Sequence, residues 1–204
     1  MSLMPSPIAC PVATYSLKIT LVDSAPEVWR QVIVPAQITL ATLHRIVQGA
    51  MGWENQHSYL FRLGIGQPPC DPQLLLSEAL IADQAAALYY TYDLRCGWLH
   101  RLTLEAEEAL PAEALPAEAL PAEALDITPA DKRSACPICI DGAMACPPEG
   151  SGGVWGYDEW LAKLEDSDDP DYLDLIAQYG DFDPDKFDLA AANVRLSSLV
   201  SSLI

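Results

Sequence analysis

Alternating apolar and polar side chains predict a β-hairpin near the start of the chain. Residues 15–22 have apolar side chains at every second position, which is typical of a strand with one buried face. A second apolar segment spans residues 28–34 and stops at Pro35. Only a short turn over residues 23–26 separates the two segments, so we expect the strands to pair antiparallel.

Helical spacing of apolar residues follows the hairpin, over residues 40–51. Thr39 is a suitable N-cap for this predicted helix, and Gly52 is typical of its C-terminal end. The polar positions of the same segment are predicted to form the outer, solvent-facing side of the helix: His44, Arg45 and Gln48.

Further strands are predicted before residue 106, and the chain then becomes helical. Apolar alternation or aromatic, β-prone composition marks strands at residues 56–63, 88–92 and 98–105, with a hairpin loop between the last two. A short helix is predicted at residues 74–80. The later helices are predicted at residues 157–164, at residues 171–179 and from the cap Asp188 onward.

Strands that come first and helices that come last predict an α+β fold. We expect an antiparallel or mixed sheet from the N-terminal half, packed with helices, and a helical C-terminal part. The chain has 204 residues, half of them hydrophobic, which is enough for one well-filled core. Residues 14–204 are therefore predicted to form a single domain, preceded by a flexible N-terminus over residues 1–13.

A tandem Glu-Ala-Leu-Pro-Ala repeat interrupts this domain between residues 106 and 131. Glu, Ala and Leu favour a helix, but a proline at every fifth position costs about 3 kcal/mol each in a helix interior. We therefore predict an exposed, extended loop inserted within the domain. A neutral expansion and a docking segment are the two interpretations of its function.

Residues 136–157 combine three thiols with several prolines and glycines, and predict a shaped loop that is neither a helix nor a central strand. The Cys-x2-Cys spacing and the third thiol predict candidate zinc ligands, with a fourth ligand from elsewhere. The candidates are Cys136, Cys139 and Cys146, with His57, His100 or Cys96 as the fourth. If zinc is present, a structural role is favoured over catalysis.

The same residues have other interpretations. The cysteines can pack as small hydrophobic side chains, or Cys-Pro-Ile-Cys can form a redox pair, which Asp141-Gly142 and the prolines oppose because they disfavour a helix. His57 and His100 can form a polar pocket with Asp93, or be ordinary packed histidines. Gly152-Gly153 is predicted to allow close backbone packing before a helix at Tyr157, and the five tryptophans are predicted to lie mostly in the core.

The net charge is −18, and 22 of the 29 acidic residues lie between Glu105 and Asp188. This charge disfavours nucleic-acid binding, although residues 1–104, with seven acids and six bases, allow a local basic face. The acidic surface itself is predicted to be solvated and to keep the protein in solution. No apolar run is long enough for a transmembrane helix, and the start of the chain lacks a signal-peptide pattern, so a cytoplasmic location is expected.

Several blocks in order resemble the plasmid pRiA4b ORF-3-like family, whose members are also labelled passenger proteins of an insertion element. They cover residues 14–105 and 136–190. In the first half these are Val28-Trp-Arg-Gln-Val-Ile-Val-Pro35, Leu40-Ala-Thr-Leu-His-Arg-Ile-Val47, Met51-Gly-Trp53, His57-x3-Phe61, Tyr90-Thr-Tyr-Asp93 and Gly97-Trp-Leu-His100. In the second half these are Cys139-x2-Gly142, Ala145-Cys-Pro-Pro-Glu149, Gly152-Gly-Val-Trp-Gly-Tyr157 and Phe182-Asp-Pro184.

The resemblance implies a compact α+β domain, often linked with plasmids and mobile elements, and assigns no biochemical activity. The chain departs from the family pattern at two places. Asp93-Leu-Arg-Cys96 stands where the family tends to have Asp-Phe-Gly-Asp, so that a carboxylate is replaced by a thiol. Gly150-Ser151 stands where the family often has Asp-Cys. Any site built from these positions is therefore altered here.

The favoured functional interpretation is a non-enzymatic, cytoplasmic interaction domain that presents its acidic surface to an unknown protein partner. A nucleic-acid-associated accessory protein of mobile-element origin is the second interpretation. The third is a metal-dependent enzyme centred on His57, His100 and the cysteine loop.

Overall fold

The computed structural model describes residues 13–82, 87–109, 137–180 and 182–200. Within these ranges it contains six strands and five helices. In chain order they are β1 (Ala13–Leu21), β2 (Trp29–Pro35), α1 (Leu40–Met51), β3 (Tyr59–Arg62), α2 (Leu76–Ala82), β4 (Ala87–Tyr92), β5 (Trp98–Ala109), β6 (Ile138–Ala143), α3 (Gly153–Glu165), α4 (Tyr172–Tyr179) and α5 (Leu189–Val200).

All six strands form one antiparallel sheet in the order β3-β4-β5-β1-β2-β6. The β1–β2 hairpin places Thr14 opposite Pro35, and the β4–β5 hairpin places Tyr92 opposite Trp98. Both predicted hairpins are therefore confirmed, as is the α+β class. Helix α5 packs against α1 and β6, which brings the last described helix back onto the sheet.

Helix α1 begins and ends where the sequence predicts. The Thr39 hydroxyl accepts a hydrogen bond from the Thr42 amide at 3.2 Å, and Gly52, with φ of 102°, donates its amide to the Gln48 carbonyl. The prediction that His44 and Gln48 face solvent is wrong, because both are buried. Their side chains bond the buried Tyr90 hydroxyl, at 2.8 and 2.9 Å, so the helix packs a polar network against β4.

The prediction that residues 136–157 form only an irregular loop is also wrong, because residues 138–143 form β6. This strand lies at the edge of the sheet and pairs only with β2 within the described chain. An edge position tolerates a proline before the strand, since one side of its backbone needs no partner strand. Helix α3 begins at Gly153, four residues before the predicted start at Tyr157.

Two predictions about domain organisation lie mostly outside the described residues. The repeat loop predicted over residues 106–131 is described only in its first four residues, which extend β5. Of the N-terminus predicted as flexible, only Ala13 is described, as the first residue of β1. None of the helices in the described ranges is both long and apolar enough to span a membrane.

Candidate functional site

The predicted metal ligands are found at three separate places. His57 and Cys96 lie near the β4–β5 turn, His100 lies within β5, and Cys139 and Cys146 lie in and after β6. Cys136 lies outside the described residues. Across the described chain, no three His, Cys, Asp or Glu side chains are grouped as metal ligands would be. The zinc prediction remains a prediction, since it includes Cys136.

At the β4–β5 turn, Asp93 connects His57 and Cys96. The Asp93 carboxylate lies 3.9 Å from Nε2 of His57 and accepts hydrogen bonds from the Arg95 and Cys96 amides. Burial acts to raise the pKa of Asp93, but hydrogen bonds from Cys96 and Arg95 outweigh it and the pKa is lowered. The same thiol–carboxylate contact, with burial, raises the pKa of Cys96, so this thiol is not activated as a nucleophile.

His100 is fully buried in β5, and its ring lies edge-on to Trp53 at 5.3 Å between centroids. Nδ1 donates to the Trp98 carbonyl at 3.1 Å, while Nε2 has no hydrogen-bond partner in the described part of the protein. Burial lowers the pKa of His100 to about 4, because a charged imidazole would lose its hydration. His100 is therefore a neutral core residue.

This burial predicts an acid-dependent loss of stability. Because the His100 pKa is about 4 in the folded chain against the ordinary 6.5, only the unfolded chain takes up this proton between those pH values. Stability is therefore expected to fall as the pH decreases through this range, by about 3 kcal/mol in total. Urea unfolding of the wild type and of His100→Leu from pH 7 to pH 4 measures the difference in slope.

The slopes of the two proteins should differ by up to about 1.4 kcal/mol per pH unit, with the wild type steeper. Parallel slopes would contradict the assignment of His100 as a neutral buried group. A second measurement needs no variant: the NMR resonances of the His100 ring in the folded wild type should not titrate above pH 5 (about one unit above its pKa of about 4).

Cys139 lies on β6, at the edge of the sheet opposite β3, and Cys146 follows in the segment after β6. Two strands separate β5 from β6, so His100 and Cys139 lie on strands about 14 Å apart at the usual spacing. The Cys139 backbone is held by Asn193 of α5, whose side chain bonds both its amide and its carbonyl. Burial raises the pKa of Cys139 to about 11 and that of Cys146 to about 12, so both are protonated thiols.

The segment after β6 is held against the loop between α1 and β3 and against the end of β4. The Trp53 indole donates to the Pro147 carbonyl at 2.9 Å. The Glu149 carboxylate accepts hydrogen bonds from the Tyr92 hydroxyl and, at 3.2 Å, from the Glu54 amide. Trp53 also stacks on Tyr92, with ring centroids 4.9 Å apart. Residues 145–149 are thus held as one wall of a cleft.

This cleft has a volume of about 500 Å³ and lies between residues 145–149, the end of α1 and the start of α5. Three of the 11 basic residues of the chain line it: Arg30, Lys186 and Arg195. Carboxylates and apolar groups complete the lining. They include Glu54, Glu149, Asp188, Met51, Trp53, Tyr179, Phe182 and Phe187.

Arg30 is the most buried charged group of the cleft, with 1% of its surface exposed. Its guanidinium donates to three carbonyls, those of Trp29 at 2.7 Å, Ala143 at 2.8 Å and Ala50 at 3.3 Å. It also stacks over the Phe187 ring at 4.0 Å. The other amino group, Nη2, has no hydrogen-bond partner within the described ranges. The guanidinium is therefore fixed in place, and the two N–H groups of Nη2 remain available to a ligand.

Arg195 brings a second guanidinium to the same cleft from α5. Its Nε donates to the Gly49 carbonyl at 2.8 Å, which orients the side chain along the end of α1. Burial lowers the pKa of Arg30, and the positive charge of Arg195 lowers it as well, so the two groups repel each other. Neither arginine forms an ion pair with any residue that the structure describes.

The carboxylates of Glu149 and Asp188, in contrast, accept hydrogen bonds from other groups of the chain. Glu149 accepts from Tyr92 and Glu54, as described above. Asp188 accepts from the Ala191 amide at 2.8 Å and caps α5, which confirms its predicted role. The cleft therefore combines engaged carboxylates with arginine charges that lack an anion in the described structure.

Sequence reasoning did not identify Arg30 and Arg195 as site residues. For Arg30 a signal existed: it shares its face of β2 with Val32 and Val34, so alternation places an arginine on the buried side. For Arg195 no local signal existed, because its role depends on how α5 packs on α1. The arginine-lined cleft is a second candidate site, beside the histidine and cysteine centre, which remains a prediction.

The sheet, its helices and this cleft define an α+β domain with an arginine-lined cleft. The chain belongs to the plasmid pRiA4b ORF-3-like protein family, whose model matches residues 13–191. It is 32% identical, over 92% of this chain and 90% of the relative, to an uncharacterized protein, y4hQ, of Sinorhizobium fredii (strain NBRC 101917 / NGR234). These matches confirm the resemblance read from the sequence blocks.

A solved structure shares the fold. The crystal structure of a protein of unknown function, MM3350, from Methanosarcina mazei Go1 matches with a TM-score of 0.66 and 30% identity. The match covers 87% of this chain and 96% of that chain. Four of the blocks that carry the family resemblance, at residues 28–35, 51–53, 145–149 and 182–184, contribute residues to the cleft.

Proposed function

We propose that the chain is a non-enzymatic binding domain that recognises a protein partner through the arginine-lined cleft. The observation that supports this proposal most is the pair of guanidinium groups, Arg30 and Arg195, without an ion-pair partner in the described residues. In a chain with net charge −18 and 29 carboxylates, such a pair is unusual. An anionic group from outside the chain would balance it.

The chemistry of the other candidate groups also favours binding over catalysis. The pKa values of the Cys96, Cys139 and Cys146 thiols are all raised, so none is a ready thiolate nucleophile. His100 is buried and neutral, and it packs behind Trp53 without itself lining the cleft. These features support a site that holds a ligand rather than one that transforms it.

The proposal is tested by adding ligands to the ¹⁵N-labelled full chain and recording NMR shifts. We expect a pool of randomised hexapeptides to shift the Trp53 indole, the Gly52 amide and the Arg195 Nε resonances, because all three line the cleft. Duplex DNA at physiological salt should leave them unchanged, since the net charge repels phosphates. The exposed Arg101 of β5 provides a reporter outside the cleft.

Shifts caused by DNA but not by peptides would reject the protein-binding function. Peptide-induced shifts at Arg101 without shifts in the cleft would reject recognition through this cleft. The first result would favour the nucleic-acid accessory function instead. Zinc analysis of the purified full chain tests the remaining alternative. Stoichiometric zinc with an open coordination position would support the metal-dependent enzyme.

We also propose a cytoplasmic location and an association with plasmids or mobile elements. The four cysteines that the structure describes are free thiols, which supports a reducing compartment. The family description refers to a plasmid open reading frame, which supports the second proposal. Location of the tagged chain in its host, and the genes that flank it, test these two proposals.

A further inference from the structure

We propose that the cleft binds the free carboxyl terminus of the partner protein, with the last, apolar side chain against Phe182 and Phe187. This inference rests on the proposed function, because it names the part of the partner that the domain recognises. Its basis is the combination of two guanidinium groups, one of them buried, with an aromatic lining and three carboxylates in one cleft. The three carboxylates, which we call the acidic rim, are Glu54, Glu149 and Asp188.

The two guanidinium groups fit a carboxylate. Arg195 can donate two parallel N–H bonds from Nη1 and Nη2 to the two oxygens of a carboxylate, because only its Nε is engaged among the described residues. Such charge-assisted pairs are stronger than neutral hydrogen bonds. Arg30 has Nη2 without a partner in the described residues, and its other donors are fixed by backbone carbonyls. A carboxylate bound between Arg30 and Arg195 would also remove the repulsion between their charges.

The acidic rim selects for a single negative charge. Glu54, Glu149 and Asp188 line the same cleft as the arginines. A phosphate ester carries close to two charges, and a nucleic acid repeats its charge at every nucleotide, so both would place negative charge against these carboxylates. A carboxyl terminus brings one charge, which the two arginines can bind without crowding the rim.

Burial of Arg30 favours the end of a chain over an internal side chain. With 1% of its surface exposed, Arg30 is reached only from within the cleft. A chain end enters with no residue continuing past it, whereas an internal Asp or Glu must bring both flanking residues to the entrance. Phe182 and Phe187 provide apolar surface for the side chain of the last residue.

The test uses three pools of N-acetylated hexapeptides passed over the immobilised full chain, with retention measured by mass spectrometry. The first pool ends in Leu, Ile, Val or Phe with a free carboxylate, and the second has the same sequences with a terminal amide. The third is amidated and has Asp or Glu at an internal position. We expect at least about tenfold higher retention of the first pool than of the second.

Matched variants assign this preference to the cleft. Arg195→Gln should abolish the preference for the free carboxylate, whereas Arg101→Gln, with the same change of charge on the exposed face of β5, should keep it. If Arg195→Gln does not fold, Arg195→Lys serves instead, since it keeps the charge but loses the two parallel donors. That variant should lose a large part of the preference.

The possible results distinguish failure of the carboxyl-terminus inference from failure of the proposed binding function. Equal retention of the free and amidated pools overturns the carboxyl-terminus inference and leaves the binding function standing. Higher retention of the third pool than of the first also overturns the inference, in favour of an internal carboxylate. Retention of none of the pools overturns both the inference and the proposed function.

Discussion

Replacing Trp53 with alanine is expected to lower the free energy of unfolding by about 3–5 kcal/mol. Trp53 has only 6% of its surface exposed and packs against Tyr92, Trp98 and His100. Its indole also donates to Pro147, so the substitution removes a large apolar contact and leaves a carbonyl unpaired. Denaturant unfolding at neutral pH measures the loss.

Trp155→Ala is the matched control, because it is the same substitution on a tryptophan that is 80% exposed. Its effect should remain within about 0.5 kcal/mol. Trp53→Phe should fall between the two, since a ring remains and the hydrogen bond to Pro147 is lost. If the losses of unfolding free energy in Trp53→Ala and Trp155→Ala differed by less than about 1 kcal/mol, Trp53 would behave like a surface residue. It would then not hold the cleft wall in place.

Gly153→Ala is expected to cost at least about 3 kcal/mol, from backbone strain and a steric clash together. Gly153 has a φ of +81°, which disfavours any residue with a Cβ. A Cβ there would also lie 2.5 Å from the Cys96 carbonyl oxygen, so the start of α3 and the β4–β5 turn could not keep their contact. Thermal unfolding provides the measurement.

Gly150→Ala isolates the clash from the strain. Gly150 has a similar φ of +88°, but nothing lies within 4 Å of the position that its Cβ would occupy. It should therefore show only the strain, about 1–2 kcal/mol. Equal losses at the two positions would mean that the approach of Gly153 to Cys96 is not a constraint on the fold.

Local patterns predicted the elements well because each depends on neighbouring residues. The caps of α1, the two hairpins and the cap of α5 all follow from spacing and side-chain chemistry within a few positions. The close backbone approach predicted for Gly152-Gly153 is confirmed at Gly153. Trp155 shows the limit of this reasoning, since a tryptophan expected in the core is exposed.

Predictions failed where a residue depends on a distant partner. His44 and Gln48 were assigned to the surface because helix spacing reports polarity, and it cannot report that Tyr90 supplies a buried hydroxyl. The cleft was not predicted because it, too, depends on residues that are distant in the sequence. Arg30 and Arg195 come from opposite ends of the chain, and only the packing of α5 on α1 and β6 brings them together.

The contact between Asn193 and β6 has a consequence for how other chains can approach this protein. The Asn193 amide bonds both the amide and the carbonyl of Cys139, which a neighbouring strand would otherwise use. At that position, addition of a foreign strand is blocked, and so is the edge-to-edge aggregation that such addition starts. Asn193 therefore protects the exposed edge of β6 at this position from pairing with another strand.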